Sequence, residues 1–214
     1  MNSSNPKIRI ILETVKSLPF FDLEDLLGVE KNRTYLKVLL SRYVKTGKVI
    51  RLKRGLYVTK NYFEKLENPE NRKNYLEFLS GTIYSPSYLS LDYVLSKHNI
   101  IAENPINFTA VSKKKTASFS NIFGNYFYHK VRNDLFCGFE LVKENDFTIF
   151  RATKAKALFD YLYLRKNDLS NEESFSELRL NLSEFSTKDR KELKEYIKIE
   201  RSKKMKEIFN YLFN

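Results

Sequence analysis

From Lys31 to Lys60 the chain carries ten basic side chains and no acidic one: Lys31, Arg33, Lys37, Arg42, Lys45, Lys48, Arg51, Lys53, Arg54 and Lys60. Ordinary solvated surfaces mix charges of both signs. A one-sign segment repels itself unless a polyanion offsets it. The segment is also patterned to fold. Leu36, Leu39, Leu40 and Tyr43 fall on one side of a helix, with Val44 at its edge;. The cations therefore have to stand on the other side. Residues 1–60 hold 13 basic and 5 acidic side chains, net +8, out of +12 for the whole chain. A polyanionic partner, nucleic acid first, is the simplest reading. An acidic protein and plain solubility are the alternatives.

Around this segment the order of elements is legible. Ile8, Ile11, Leu12, Val15 and Leu18 form an apolar helix stripe that Pro19 ends;. A short second helix is predicted over Asp22–Leu27, with Asp22 as N-cap and Gly28 turning the chain;. A third follows from Asn32 to Thr46, closed by Gly47;. Strands are predicted at Val49–Leu52 and Leu56–Thr59, joined by the basic turn Lys53-Arg54-Gly55;. Helix, helix, turn, helix and hairpin is the order of a winged helix-turn-helix.

In that arrangement the start of the third helix fits a major groove about 12 Å wide. Arg33, Thr34, Lys37, Val38 and Ser41 stand on its exposed side. Arg33 suits guanine edges, Lys37 suits reading or neutralising, and Thr34 and Val38 suit thymine methyls. Lys31, Arg42 and Lys45 suit phosphates, and Lys53 and Arg54 at the wing tip suit the backbone or the minor groove;. Tyr35 fits either a packed aromatic or a contact to the nucleic acid. Tyr43 reads as core. Against this stand blander roles: Arg33 solvating a helix start, and the hairpin merely covering a small core.

The polar segment 60–74 around Pro69 reads as a linker or a loose helix start. The expected division is a winged-helix domain over 1–65 and a C-terminal domain over 72–214. The fold class is α+β, the second domain having a small antiparallel sheet and several helices. Ser85-Pro86-Ser87 reads as a turn, and Ser90 as the cap of a helix over Leu91–Lys97;. Strand candidates are Asn107–Val111, Ala117–Ser120, Tyr126–Lys130, Gly138–Val142 and Phe147–Arg151. Helices are predicted at Lys154–Arg165, Lys188–Ile199 and Ser202–Leu212, with Ser186 or Thr187 capping the second of these. On it, Asp189, Glu192 and Glu195 alternate with Lys188, Lys191 and Lys194. Ordinary helix-surface pairing explains that pattern, and a second nucleic-acid or partner surface is the sharper reading.

Catalytic signals are sparse. The single Cys137 excludes an internal disulfide framework and a thiolate-rich zinc site;. Cys137 reads as a small filler. His98 and His129 are not at metal-ligand spacing; His98 ends its helix, where a cationic imidazole suits the dipole, and His129 reads as a strand side chain;. Nucleotide-binding, zinc-protease and CxxC motifs are absent from the sequence. Asp160, near Arg151, Lys156 and Arg165, suits a structural ion pair better than a catalytic acid. The reading is a non-enzyme without cofactor or metal. No apolar run approaches a membrane span, and no export signal is convincing, so a cytoplasmic location is expected;.

The residues also resemble a known family, AbiEi, the antitoxins of abortive-infection E toxin–antitoxin systems. The likeness runs through FDLEDLLGVEKNRTYLKVLLSRYVKTGKVIRLKRGLYV (21–58), SPSYLSLDYVLSKHNIIAE (85–103), FRATKAKALFDYLYLR (150–165) and LRLNL (178–182). The resemblance implies an N-terminal winged helix that binds inverted repeats in the operon promoter and represses it. It also implies a C-terminal domain that opposes a nucleotidyltransferase-type toxin, directly or functionally. The implied DNA-reading positions are Arg33 to Val38 and the wing at Lys53 and Arg54. One block departs from the family. Its helix usually opens with Thr-Pro-Glu-Lys, and here Thr153-Lys154-Ala155-Lys156 stands instead. Loss of that Pro is expected to weaken the helix start modestly. The rival reading is a protein-interaction module that neutralises a partner without specific DNA binding; an enzyme acting on nucleic acid is a more distant one.

Overall fold

The computed structural model describes residues 6–103 and 105–213 of the chain. They form an α+β protein of two compact units: one comprises the N-terminal segment through Leu76 with Phe119–Phe123, the other Glu77–Ser118 with the chain from Gly124.

In the first unit, α1 (Pro6–Val15) buries Ile11 and Val15. The side chain of Ile8, at the start of the expected stripe, lies outside the described residues. The expected second helix is instead a single 3₁₀ turn, Glu24–Leu26. Local hydrogen bonds compete with a longer helix there. Asp22 Oδ1 accepts from the Glu24 amide at 2.7 Å, and Asp25 Oδ2 accepts from the Asp22 amide at 2.8 Å. Helix α2 (Arg33–Lys45) begins at Asn32, whose side chain accepts from the Tyr35 amide. It buries Leu36, Leu39, Leu40 and Tyr43 against Ile11, Val15, Phe21 and Leu26. The helix stops at Gly47, which takes φ +71°. The Lys48 amide then donates to Tyr43 O and the Gly47 amide to Val44 O, satisfying the last carbonyls;. Strands β1 (Val49–Lys53) and β2 (Leu56–Thr59) form an antiparallel hairpin. Phe21 pairs with Tyr57 through both backbone bonds, at 2.8 and 2.9 Å, so the hairpin is tied to the segment before the 3₁₀ turn.

The polar stretch read as a linker or a loose helix start is helical on both sides of a short break. Thr59 caps α3 (Lys60–Glu64), and α4 runs from Pro69 to Ile83. The division into units falls inside α4.

The second unit departs from the expected small antiparallel sheet. It carries a mixed sheet in which β6, β4, β3, β8 and β7 are neighbours in that order, residues 119–121 of β5 being counted with the first unit. The strands are β3 (Ser87–Leu89), β4 (Phe108–Ser112), β5 (Ala117–Asn121), β6 (Gly124–Lys130), β7 (Phe139–Glu144) and β8 (Phe147–Ala152). The unforeseen element is β3, only three residues long and hidden in what reads as a turn plus a helix cap. All three of its residues are buried. It is antiparallel to β4 and parallel to β8, while β4 and β6 are also parallel. A three-residue strand is too short to show alternation, so the sequence pattern is blind to it.

Helix α5 (Leu91–Lys97) forms as expected, but Ser90 makes no capping bond. Its hydroxyl donates to Asp160 instead. Helix α6 (Lys154–Arg165) is buried from Ala155 to Leu162 and packs against α5 and α8 (Thr187–Glu200). Thr153 caps α6 by accepting from the Lys156 amide. Lys154, standing where the resembled family has Pro, pairs with Asp189 at 2.8 Å. A short α7 (Glu172–Ser176) precedes α8, and α9 (Lys203–Phe213) ends the described chain. Among the described residues no helix is long and apolar enough to cross a membrane.

Candidate functional site

Helix α2 presents the inward stripe Leu36, Leu39, Leu40 and Tyr43, so 3.6-residue geometry turns Thr34, Lys37, Val38, Ser41 and Lys45 to the opposite face;. All five are exposed, Val38 to 47% despite its apolar side chain. Lys31, Arg33 and Arg42 are exposed as well. Tyr35 is half-buried and packs against the core of the unit, which accounts for it as a packing aromatic. Tyr43 is core, as expected, and burial, then the neighbouring Tyr35, push its phenol up.

The hairpin meets this helix face. Its tip is Arg54-Gly55, with Arg54 exposed and Lys53 half-buried. Strand β1 alternates Ile50 inward, Arg51 outward and Leu52 inward. A cleft of about 720 Å³ lies between helix and hairpin. Lys37, Ser41 and Lys45 line it from α2, and Arg51, Arg54 and Tyr57 from the hairpin. Four cations converge there and no carboxylate lines the cleft. Lys31, Thr34, Tyr35, Val38 and Arg42 lie outside its lining, as do Arg33 and Lys53.

Arg51 is the residue that sequence reasoning left off the site. Period-two alternation between Ile50 and Leu52 was the available signal. The structure also adds an acid that the sequence run does not contain. Glu24, from the 3₁₀ turn, accepts from Arg33 Nη2 with both carboxylate oxygens, at 2.6 and 2.7 Å. Both side chains are more than half exposed, so the pair contributes little to stability and is easily exchanged for another anion;.

Among the described residues no three His, Cys, Asp or Glu side chains are grouped to hold a metal ion. His98 ends α5, but burial and then Lys154 and Arg151 hold its imidazole below the usual value, so the cationic form expected from the helix end is disfavoured. His129 lies in β6, where burial and then Arg165 hold it down likewise. Cys137 is half-buried, and burial pushes its thiol up, away from the reactive thiolate;.

Asp160 forms the buried ion pair that its neighbours suggested. Lys156 Nζ donates to it at 2.5 Å, Ser90 Oγ at 2.8 Å and Tyr88 Oη at 3.0 Å, with Lys156 and Asp160 both fully buried. Burial still raises its carboxyl against the pull of Lys156. Compared with models of known protein families and with curated proteins, the chain has no match.

Proposed function

We propose that the chain binds duplex DNA through a winged helix-turn-helix, with α2 as the recognition helix and β1–β2 as the wing. The reading extends to a repressor of its own operon that also serves as the antitoxin to a nucleotidyltransferase-like toxin. One observation carries the DNA-binding part: the outward face of α2 and the hairpin line the same acid-free cleft with Lys37, Lys45, Arg51 and Arg54. Two independently formed elements bring like charges together at a cost in repulsion that a phosphate backbone relieves. The bond pair between Phe21 and Tyr57 supports the hairpin as a fixed wing. The antitoxin part rests on the resemblance in sequence.

In this reading Lys45, Arg51 and Arg54 hold phosphates and set the register of α2. Arg33 leaves Glu24 to reach a base edge, and Thr34 and Val38 meet methyl groups in the groove. Binding is measured by fluorescence anisotropy on the operon-upstream duplex and on random duplex across a salt series. Six phosphate contacts give a log–log slope of about −5. Lys45→Ala weakens every duplex alike and flattens the slope by about 1. Arg33→Ala costs about 1–3 kcal/mol on the matching site alone. Absence of duplex binding at low salt would overturn the proposal, and equal losses from both variants on both duplexes would remove the assigned roles.

A further inference from the structure

Along α8 the sequence offers a ladder of surface pairs, and the structure uses it only in part: Glu195 takes Lys198, while Lys191 and Lys194 receive no carboxylate among the described residues. Asp189 is drawn to Lys154 and to the capping box with Ser186. Glu192 accepts from Thr153 Oγ1 and from Tyr196 Oη, each at 2.6 Å. Glu195 pairs with Lys198 at 2.7 Å. The carboxylates are thus consumed inward or farther along the helix. Arg190, Lys191 and Lys194 are left exposed, with no acidic partner among the described residues. Together with Thr187, Phe209 and Phe213 they line a groove of about 350 Å³ between α8 and α9.

We propose that this groove is a docking surface for an acidic segment of a protein partner, a short stretch rich in Glu or Asp with an apolar side chain among them. Charge complementarity is the first reason, since three cations and no acid line it. The geometry of the rings is the second. Arg190 sits 4.9 Å from the centroid of Phe213, and Lys194 sits 4.9 Å from that of Phe209. Each ring has a face taken by a cation, which removes the open platform on which nucleobases stack. The same cations are held in place to receive carboxylates. Extent is the third reason. The span from Thr187 to Lys194 covers about 10 Å of helix. Beyond it Lys198 is paired with Glu195 and Lys203 with Glu207, while Arg201 and Lys206 stand exposed. A stretch of that length matches a short peptide.

The inference is independent of the duplex reading, and the test separates the two. The full chain is titrated against a short labelled peptide of alternating glutamate and leucine, its glutamine counterpart, and a labelled single-stranded oligonucleotide. The acidic peptide is expected to bind. The Lys191→Glu/Lys194→Glu variant should lose at least about tenfold, the equivalent of one charge-assisted contact. The Lys45→Glu/Arg54→Glu variant should keep the peptide while losing duplex DNA. Both variants alter exposed side chains, and the milder Arg190→Gln should reproduce the peptide loss in part. Equal binding of the glutamine peptide would overturn the proposal. So would a peptide loss that follows the Lys45/Arg54 variant, or a groove variant that loses the oligonucleotide and keeps the peptide.

Discussion

The two units differ in whether any of their ion pairs are sealed from solvent. In the first, cations point to solvent, and the pairs Arg33 with Glu24, Lys60 with Glu64 and Lys16 with Glu13 are all about half exposed or more. The second has exposed pairs too, such as Lys198 with Glu195, but it also folds charge into the interior. Glu77 has no exposed side-chain surface and is held at 2.5 Å by both Lys97 and Arg151, with Tyr93 donating a further bond. Lys156 and Asp160 are equally enclosed. Glu77 and Asp160 also differ from each other. Burial pushes both up, but two cations outweigh it at Glu77 and hold that group below the ordinary value, whereas the single ammonium at Asp160 does not. A charge left in water is available to a partner and adds little to folding. A charge sealed inside is committed to the fold, because neither member can be removed without stranding the other.

The sharpest way to break this contrast is Asp160→Asn. It leaves the Lys156 ammonium buried without its counter-charge and should cost about 3–5 kcal/mol in urea unfolding. Joint replacement of both residues by apolar ones should recover part of that loss. A cost under about 1 kcal/mol for Asp160→Asn would mean that the buried pair is no clamp, and the distinction between the units would fall.

Gly138→Ala probes the same region through the backbone. Gly138 takes φ +71°, and a Cβ there would collide with the Tyr196 hydroxyl. Backbone strain alone is worth about 1–3 kcal/mol, read as a lowered melting temperature. The smallest effect belongs to the first unit. Lys45→Ala, exposed and outside the core, should change unfolding stability by less than about 0.5 kcal/mol while it weakens duplex binding;. A large loss of stability there would show that the cleft cations hold the unit together.

Much of the first unit was legible because its signals are local. The inward stripe of α2, the Asn32 start, the Gly47 stop and the two strands all follow from spacing and turn chemistry within about thirty residues;. The short segment Asp22–Leu27 was misjudged as a helix, since its Asp side chains bond the backbone in a way that spacing does not reveal;. In the second unit most strands were foreseen within a residue or two, but the sheet they build was not. Its continuity depends on β3, which pairs with β4 on one side and with β8, some sixty residues later, on the other.

The sequence by itself determined where the positive charge is concentrated, which side of α2 faces inward, and that Asp160 has a cation one helical turn away. It could not determine which charges meet. Glu24 reaches Arg33, Arg51 joins Lys37 and Lys45, and Tyr88 and Ser90 close over Asp160 only once distant segments are packed together. On α8 the surface pairing that the pattern suggested forms at Glu195 with Lys198, whereas Asp189 and Glu192 go to Lys154 and Thr153, donors that packing brings closer. Helical and strand periods are set by neighbours along the chain, whereas electrostatic and hydrogen-bond partners are chosen in space, by burial and distance that exist only in the folded protein.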